Sequence, residues 1–182
     1  MAEKQYALGE ILITEQQIRE RIAQLGAQIS EDYRGRELLA VGILKGSVPF
    51  MADLIRVIDN PLQMDFMSVS SYGSSTKSSG VVRILKDLDT DITGKDVLII
   101  EDIIDSGLTL NYLKETLWGR KPASLKICTF LDKPDRRTVE LKADYTGFPV
   151  EDLFIVGYGL DVNQRYRNLP YITSVVELPQ QK

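Results

Sequence analysis

Glu101, Asp102 and Asp105 deliver three carboxylates just before Ser106, Gly107 and Thr109, all directly after the apolar run Val97-Leu98-Ile99-Ile100. Carboxylates packed this closely repel one another unless a cation compensates them. Their hard oxygens suit a divalent ion such as Mg²⁺ shared with a phosphate substrate. Asp105-Ser106-Gly107-Leu108-Thr109 adds hydroxyls, backbone N–H donors and a glycine that permits close approach, the parts of a phosphate cradle. The plainer alternative is that the carboxylates mark a strand emerging into solvent and that Asp105 caps a helix. The density of acids and hydroxyls in so short a stretch favours a site.

The elements on either side must position these groups. Val97 to Ile100 is β-branched-rich without polar alternation, which predicts a strand buried on both faces. From Thr109 to Trp118 the apolar residues Leu110, Leu113 and Leu117 share one helical face. The turn between them therefore lies at a strand's carboxyl end and a helix's amino end, where open α/β sheets bind ligands and unpaired N–H groups meet anions. Neighbours on a regular strand face opposite ways, so Glu101 and Asp102 can share a metal only if the strand has ended or water relays one contact.

Other phosphate motifs are excluded. A Walker loop ends in Lys and then Ser or Thr, whereas Gly107 is followed by Leu108 and Thr109; Gly157-Tyr158-Gly159 has Val162 where a dinucleotide fingerprint needs its third glycine. Histidine is absent, which removes Ser-His-Asp and Cys-His catalysis and His-ligated zinc and leaves acid–base work to carboxylates, Lys or Tyr.

Thr14 with Gln17 reads as a capping box opening a helix whose face is Ile18, Ile22, Leu25 and Ile29, closed by Gly35. Strands are predicted near 38–44, 63–69, 81–86, 97–100, 125–131, 153–157 and 172–176, and the alternation with helices indicates an α/β fold with a mainly parallel central sheet. Leu44-Lys45-Gly46-Ser47, before the helix-like Pro49 to Ile55, is a second loop at a strand's carboxyl end. Phe130 to Arg137 follows a strand with a charged loop whose Arg136 and Arg137 read as solvated surface, and Phe154, in an apolar run, reads by itself as core. Ser68 to Gly80 holds seven serines between two strands and buries too little to be rigid alone.

At 182 residues one domain suffices, long enough to bury roughly 70% of its unfolded surface. A formal charge of −4 argues against a broad nucleic-acid footprint. The single Cys128, inside a predicted strand, excludes an internal disulfide and fits a cytoplasmic location. Neither a signal peptide nor a membrane span is expected, because Met1 to Leu8 carries charges and no apolar run reaches the length of a bilayer.

Val97 to Thr109 resembles the phosphoribosyl diphosphate (PRPP) motif of type I phosphoribosyltransferases, in the form similar to that of hypoxanthine-guanine phosphoribosyltransferases. The resemblance implies a type I phosphoribosyltransferase fold over 1–182, with a small hood from about 1–15 and 150–182 and a flexible active-site lid at 68–82. It implies transfer of 5-phosphoribose from PRPP to N9 of hypoxanthine or guanine, with Mg²⁺ as cofactor and a homodimer or homotetramer as the assembly. Glu101 and Asp102 would then serve the metal and ribose. Ser106, Gly107, Leu108 and Thr109, with Asp105, would hold the 5′-phosphate. Lys45, Gly46 and Arg167 would hold pyrophosphate, and the Leu44–Lys45 peptide would often be cis. Asp105 would take the purine N7 proton and Lys133 would donate to O6, as an all-donor ammonium suits a carbonyl. Phe154 would stack on the purine, the Ile155 backbone would meet the base edge, and Asp161 would sit near the base and help hold a second Mg²⁺ through water. Ser71 and Tyr72 would reach the substrate from the lid. The motif by itself also allows a PRPP enzyme for uracil, orotate or adenine, or a regulator of the same fold that binds nucleic acid.

Overall fold

The computed structural model describes residues 6–71 and 82–178. In chain order its elements are β1 (Tyr6–Ile13), α1 (Glu15–Asp32), β2 (Leu38–Leu44), α2 (Val48–Leu54), β3 (Leu62–Ser71), β4 (Val82–Lys86), β5 (Asp96–Ile104), α3 (Leu108–Trp118), β6 (Ser124–Asp132), a 3-10 turn at Pro134–Arg136, β7 (Tyr145–Pro149), β8 (Ile155–Val156) and β9 (Ile172–Glu177). α1 starts as its sequence requires: Thr14 Oγ1 accepts from the Gln17 N–H at 3.3 Å, and Gln17 Oε1 accepts from the Thr14 N–H at 2.8 Å.

The main sheet has the order β4-β3-β2-β5-β6-β7. Its strands pair in parallel except at β3 and β4, which are antiparallel. Alternation along β5 shows why its sequence carries no polar face. Leu98 and Ile100 join the core beneath α1 and α2, with Ile18, Leu25, Phe50 and Met51. Val97 and Ile99 join the core beneath α3, with Leu110, Leu113 and Leu117. Each such side chain, fully buried, is worth about 1.5–3 kcal/mol of transfer free energy. The helices that follow the neighbouring strands β2 and β5 thus leave on opposite faces, so the gap between the two strands at their carboxyl ends is the topological switch point of the sheet.

Several elements depart from the sequence reading. β5 continues through both carboxylates to Ile104 instead of ending near Ile100. β7 escapes a pattern search because Gly147 and Pro149 read as turn residues; as an edge strand it tolerates both, and a side chain at 147 would strike the Phe130 carbonyl. The apolar run at 153–157 yields only the two-residue β8, with Leu153 and Phe154 outside any strand.

β1, also unread as a strand, pairs antiparallel with β9, and β9 with β8, in a separate three-stranded sheet. It brings residues 6–13 beside residues 172–177. Arg21 fastens α1 to the edge of the main sheet by donating to the carbonyls of Thr146 and Gly147 at 2.6 and 3.0 Å.

Asp65, a buried carboxylate on β3, ties that strand to the chain approaching β5. Its oxygens accept from the N–H groups of Phe66, Asp89 and Thr90 at 2.7, 2.9 and 2.9 Å, and Lys86 lies 3.5 Å away. Burial alone would raise its carboxyl, but the N–H donors outweigh burial and hold it below its ordinary value. A lowered folded-state value contributes stability above the unfolded carboxylate range near ~3.9 and loses it as pH falls through the folded value. Asp65→Ala should therefore cost about 2–4 kcal/mol at pH 7 in urea unfolding, with the gap to the parent narrowing as pH falls below the ordinary carboxylate value.

Candidate active site

The loop after β5 turns into α3 through Gly107, whose φ of +82° is a left-handed conformation that favours glycine. No side chain caps α3 at Gly107, and the Ser106 hydroxyl oxygen accepts from the Leu108 N–H only at 3.4 Å. The helix amino end is thus open to an anion. A cavity of about 300 Å³ is lined by Leu44, Glu101, Asp102, Asp105, Ser106 and Thr109, among others, so the carboxylates and the cradle share one space. A larger cavity of about 550 Å³, between α1 and α2, touches none of these residues and carries none of this chemistry.

Although Glu101 and Asp102 alternate across a regular strand, both line this cavity at the strand's open end. Burial pushes the Glu101 carboxyl well above its ordinary range, and the adjacent Asp102 charge pushes further. Among the described residues no group of three or more His, Cys, Asp or Glu is arranged to hold a metal ion. Two neighbouring carboxylates nevertheless suit a hard cation that completes its shell with water and substrate oxygens.

The loop after β2 meets this strand end directly. Gly46 has no room for a side chain, since a Cβ there would lie 1.6 Å from the Asp102 Oδ2. The Leu44–Lys45 peptide is cis. From above, Gly159 packs against the Gly46 carbonyl, which a Cβ at 159 would meet at 1.9 Å. The segment from Gly157 to Arg167 that covers this junction bends sharply, with Tyr158, Asn163, Gln164 and Tyr166 all at positive φ. It brings two cations together: Gln164 Oε1 accepts from Lys45 Nζ at 3.5 Å and from Arg167 Nη2 at 3.3 Å. Asp161 pairs with Arg167 Nη2 at 2.7 Å and accepts from the Gln164 N–H at 2.8 Å, and Arg167 Nη1 donates to the Gly159 carbonyl at 2.7 Å. Arg167 Nε is a buried donor without a partner among the described residues, and an anionic oxygen would satisfy it.

On the other side, parallel pairing of β5 with β6 sets Lys133 beside Asp105, and the Lys133 N–H donates to the Ile104 carbonyl at 2.9 Å. The Lys133 ammonium is buried, donating to the Leu153 carbonyl at 2.7 Å with Asp152 Oδ1 at 3.5 Å. Phe154 is 54% exposed, contrary to its reading as core, with its ring centroid 6.2 Å from that of Tyr6; Ile155 beside it is buried in β8. An exposed aromatic next to a buried ammonium is a face on which a flat base can lie.

Arg136, exposed as its sequence reading expects, and the partly buried Arg137 nevertheless both bind Asp105. Arg136 Nε donates to Asp105 Oδ1 at 2.9 Å and its Nη1 to Asp152 Oδ2 at 3.2 Å, contacts that raise the guanidinium further above its ordinary value. Arg137 donates to the Asp105 carbonyl at 2.9 Å and pairs with the Asp132 carboxylate. Thr138 braces the cradle by donating its N–H to the Ser106 carbonyl at 3.0 Å. The signal available beforehand was Pro134 at the head of a short turn, since a 3-10 turn aligns residues three apart, here Lys133 and Arg136. Asp152 and Gln164 gave no such signal. Tyr72 and residues 73–81 of the expected lid lie outside the described residues, and Ser71 ends β3.

A parallel sheet with a phosphate cradle, carboxylates and two cationic loops at its switch point defines a class. Residues 10–163 match the model of the phosphoribosyl transferase domain, and the chain belongs to that family. Within it the chain belongs with the hypoxanthine-guanine phosphoribosyltransferases. It is 58% identical to the hypoxanthine-guanine phosphoribosyltransferase of Bacillus subtilis over 91% of this chain and 92% of that one. With the hypoxanthine phosphoribosyltransferase of Salmonella typhimurium it shares 55% identity, covering 93% and 96%. The crystal structure of a hypoxanthine phosphoribosyltransferase from Staphylococcus aureus superposes with a TM-score of 0.90 at 53% identity, covering 93% of this chain and 92% of the other.

Because a methyl group at position 46 would collide with Asp102, Gly46→Ala should displace the carboxylate or the loop. Turnover should fall about 100-fold, with a melting temperature within a few degrees of the parent's. Steady-state kinetics beside a thermal melt would check both.

Proposed function

We infer that the chain transfers 5-phosphoribose from PRPP to N9 of hypoxanthine or guanine, forming IMP or GMP and releasing pyrophosphate. The observation that carries this reading is the convergence, on one strand end, of an open helix amino terminus, a carboxylate pair, a cationic loop and a buried ammonium beside an exposed aromatic. The bond from C1 of the ribose to pyrophosphate breaks and the bond from C1 to N9 forms, while the purine N7 proton passes to Asp105.

Asp105 is the proton acceptor in this reading, and Lys133 steadies the charge gathering on O6. Phe154 stacks on the base and the Ile155 backbone meets its edge. Ser106, Gly107, Leu108 and Thr109, with Asp105, cradle the 5′-phosphate at the amino end of α3. Lys45, the Gly46 backbone and Arg167 receive the leaving pyrophosphate, exchanging Gln164 for its oxygens. Bound Mg²⁺ would supply charge neutralisation for the ribose hydroxyls and pyrophosphate, and Glu101 and Asp102 would hold it. Asp161, now engaged with Arg167 and the Gln164 N–H, would assist a second Mg²⁺ through water. The dense self-pairing of these groups before substrate arrives supports exchange of partners over construction of new charge.

A homodimer or homotetramer and a cytoplasmic location belong to the same reading. Among the described residues no helix is long and apolar enough to cross a membrane.

A pyrophosphate-release assay with Mg²⁺, PRPP and each of hypoxanthine, guanine, xanthine, adenine and uracil tests the proposal; release confined to adenine or uracil would overturn it. Asp105→Asn should retain PRPP binding and lose about 100-fold or more in turnover, as an amide cannot take the N7 proton. Lys133→Ala should raise the KM for the purine more than that for PRPP, and the reverse pattern would remove Lys133 from the base pocket.

A further inference from the structure

Asp105 stands on a loop with about half of its side chain exposed, at 49%. A carboxylate in that position is free to sample several rotamers, only some of which face an incoming base. Two consecutive arginines from the turn after β6 restrict it. Arg137 holds the main chain through the Asp105 carbonyl, and Arg136 holds the side chain through Oδ1. Arg136 is itself held at its other end by Asp152 Oδ2, and Asp152 Oδ1 faces the Lys133 ammonium. The order Lys133, Asp152, Arg136, Asp105 alternates in sign and joins the group assigned to the purine O6 with the group assigned to N7.

We propose that Arg136 is a positioning residue for Asp105: its guanidinium spans Asp105 and Asp152, fixes which carboxylate oxygen is presented to the purine, and couples that orientation to the Lys133 pocket. This rests on the reading of Asp105 as proton acceptor given above. A single exposed ion pair contributes little, but the planar fork here bridges two carboxylates, one anchored by a buried ammonium, so the geometry is determined at both ends. Engagement of Oδ1 assigns proton acceptance to Oδ2. When Lys133 leaves Asp152 for the purine O6, Asp152 keeps its bond to Arg136, and Asp105 stays oriented through the exchange. The segment that selects the base thereby also orients the group that activates it.

Kinetics of Arg136→Ala in two backgrounds test the coupling. In the otherwise unchanged chain, kcat should fall about tenfold with the PRPP KM within about twofold of the parent. Arg136→Lys should recover only part of the loss, since an ammonium lacks the planar fork that holds two carboxylates in fixed geometry. In Asp105→Asn, where there is no proton acceptor left to orient, adding Arg136→Ala should change kcat by less than twofold. The same fold-loss in both backgrounds, no loss in the parent, or a loss confined to the PRPP KM would overturn the proposal. Arg136→Gln keeps much of the stem and should repeat the pattern of Arg136→Ala, and thermal melts of every variant separate orientation from unfolding. Absence of pyrophosphate release from the parent enzyme would instead overturn the proposed function, and that arm is read first.

Discussion

Everything at the site depends on β2 and β5 lying side by side and parallel while their helices depart to opposite faces of the sheet. That divergence opens a gap at the carboxyl ends of the two strands, where no crossover covers the backbone. Into it run the loop bearing Lys45 and Gly46 and the strand end bearing Glu101 and Asp102, so close that Asp102 occupies the space a side chain at 46 would need. β6, pairing with β5 in the same sense, adds Lys133 at the same level. One strand arrangement thus sets the carboxylates, the Lys45 loop and Lys133 at a common height.

The charged groups around the gap are largely engaged with one another. Lys133, Asp152, Arg136 and Asp105 form one series; Lys45, Gln164, Arg167 and Asp161 form another. Burying a cation without a partner is costly, so the contacts of the buried Lys133 with the Leu153 carbonyl and Asp152 let that pocket exist before it is filled. On the proposed function these pairings would also make binding an exchange, with a phosphate oxygen taking the place of the Gln164 amide and a purine carbonyl that of the Leu153 carbonyl. The neutral Gln164 is a weaker competitor for Lys45 than a carboxylate would be, which leaves that cation available to an anion, whereas Arg167 is also held by Asp161.

The local features were legible because their causes are local. Thr14 and Gln17 make the capping box that begins α1, and the apolar run at 97–100 lies buried on both faces, because these depend on neighbours within a turn or on strand alternation. Phe154 by its own chemistry reads as core, because an apolar run records hydrophobicity and not which side is covered; the run contributes a two-residue strand and leaves the ring exposed, as the family resemblance requires of a stacking residue. β7 was missed because its role as an edge strand, which excuses Gly147 and Pro149, is a property of the sheet. The contacts of Arg136 and Arg137 with Asp105 escape the sequence because that residue lies 31 and 32 positions away, although Arg137 also pairs with the nearby Asp132.

By itself the sequence determined the chemistry on offer: carboxylates and hydroxyls in one turn, a lysine in each of two further loops, no histidine, and the strand and helix periods that place those turns at element ends. Only the tertiary structure decided which of these groups meet, that the carboxylate strand runs on to Ile104, and that Arg136 binds Asp105. Periodicity and capping are written in residues a few places apart, whereas strand order and ion pairing join residues whose separation along the chain carries no trace of their proximity.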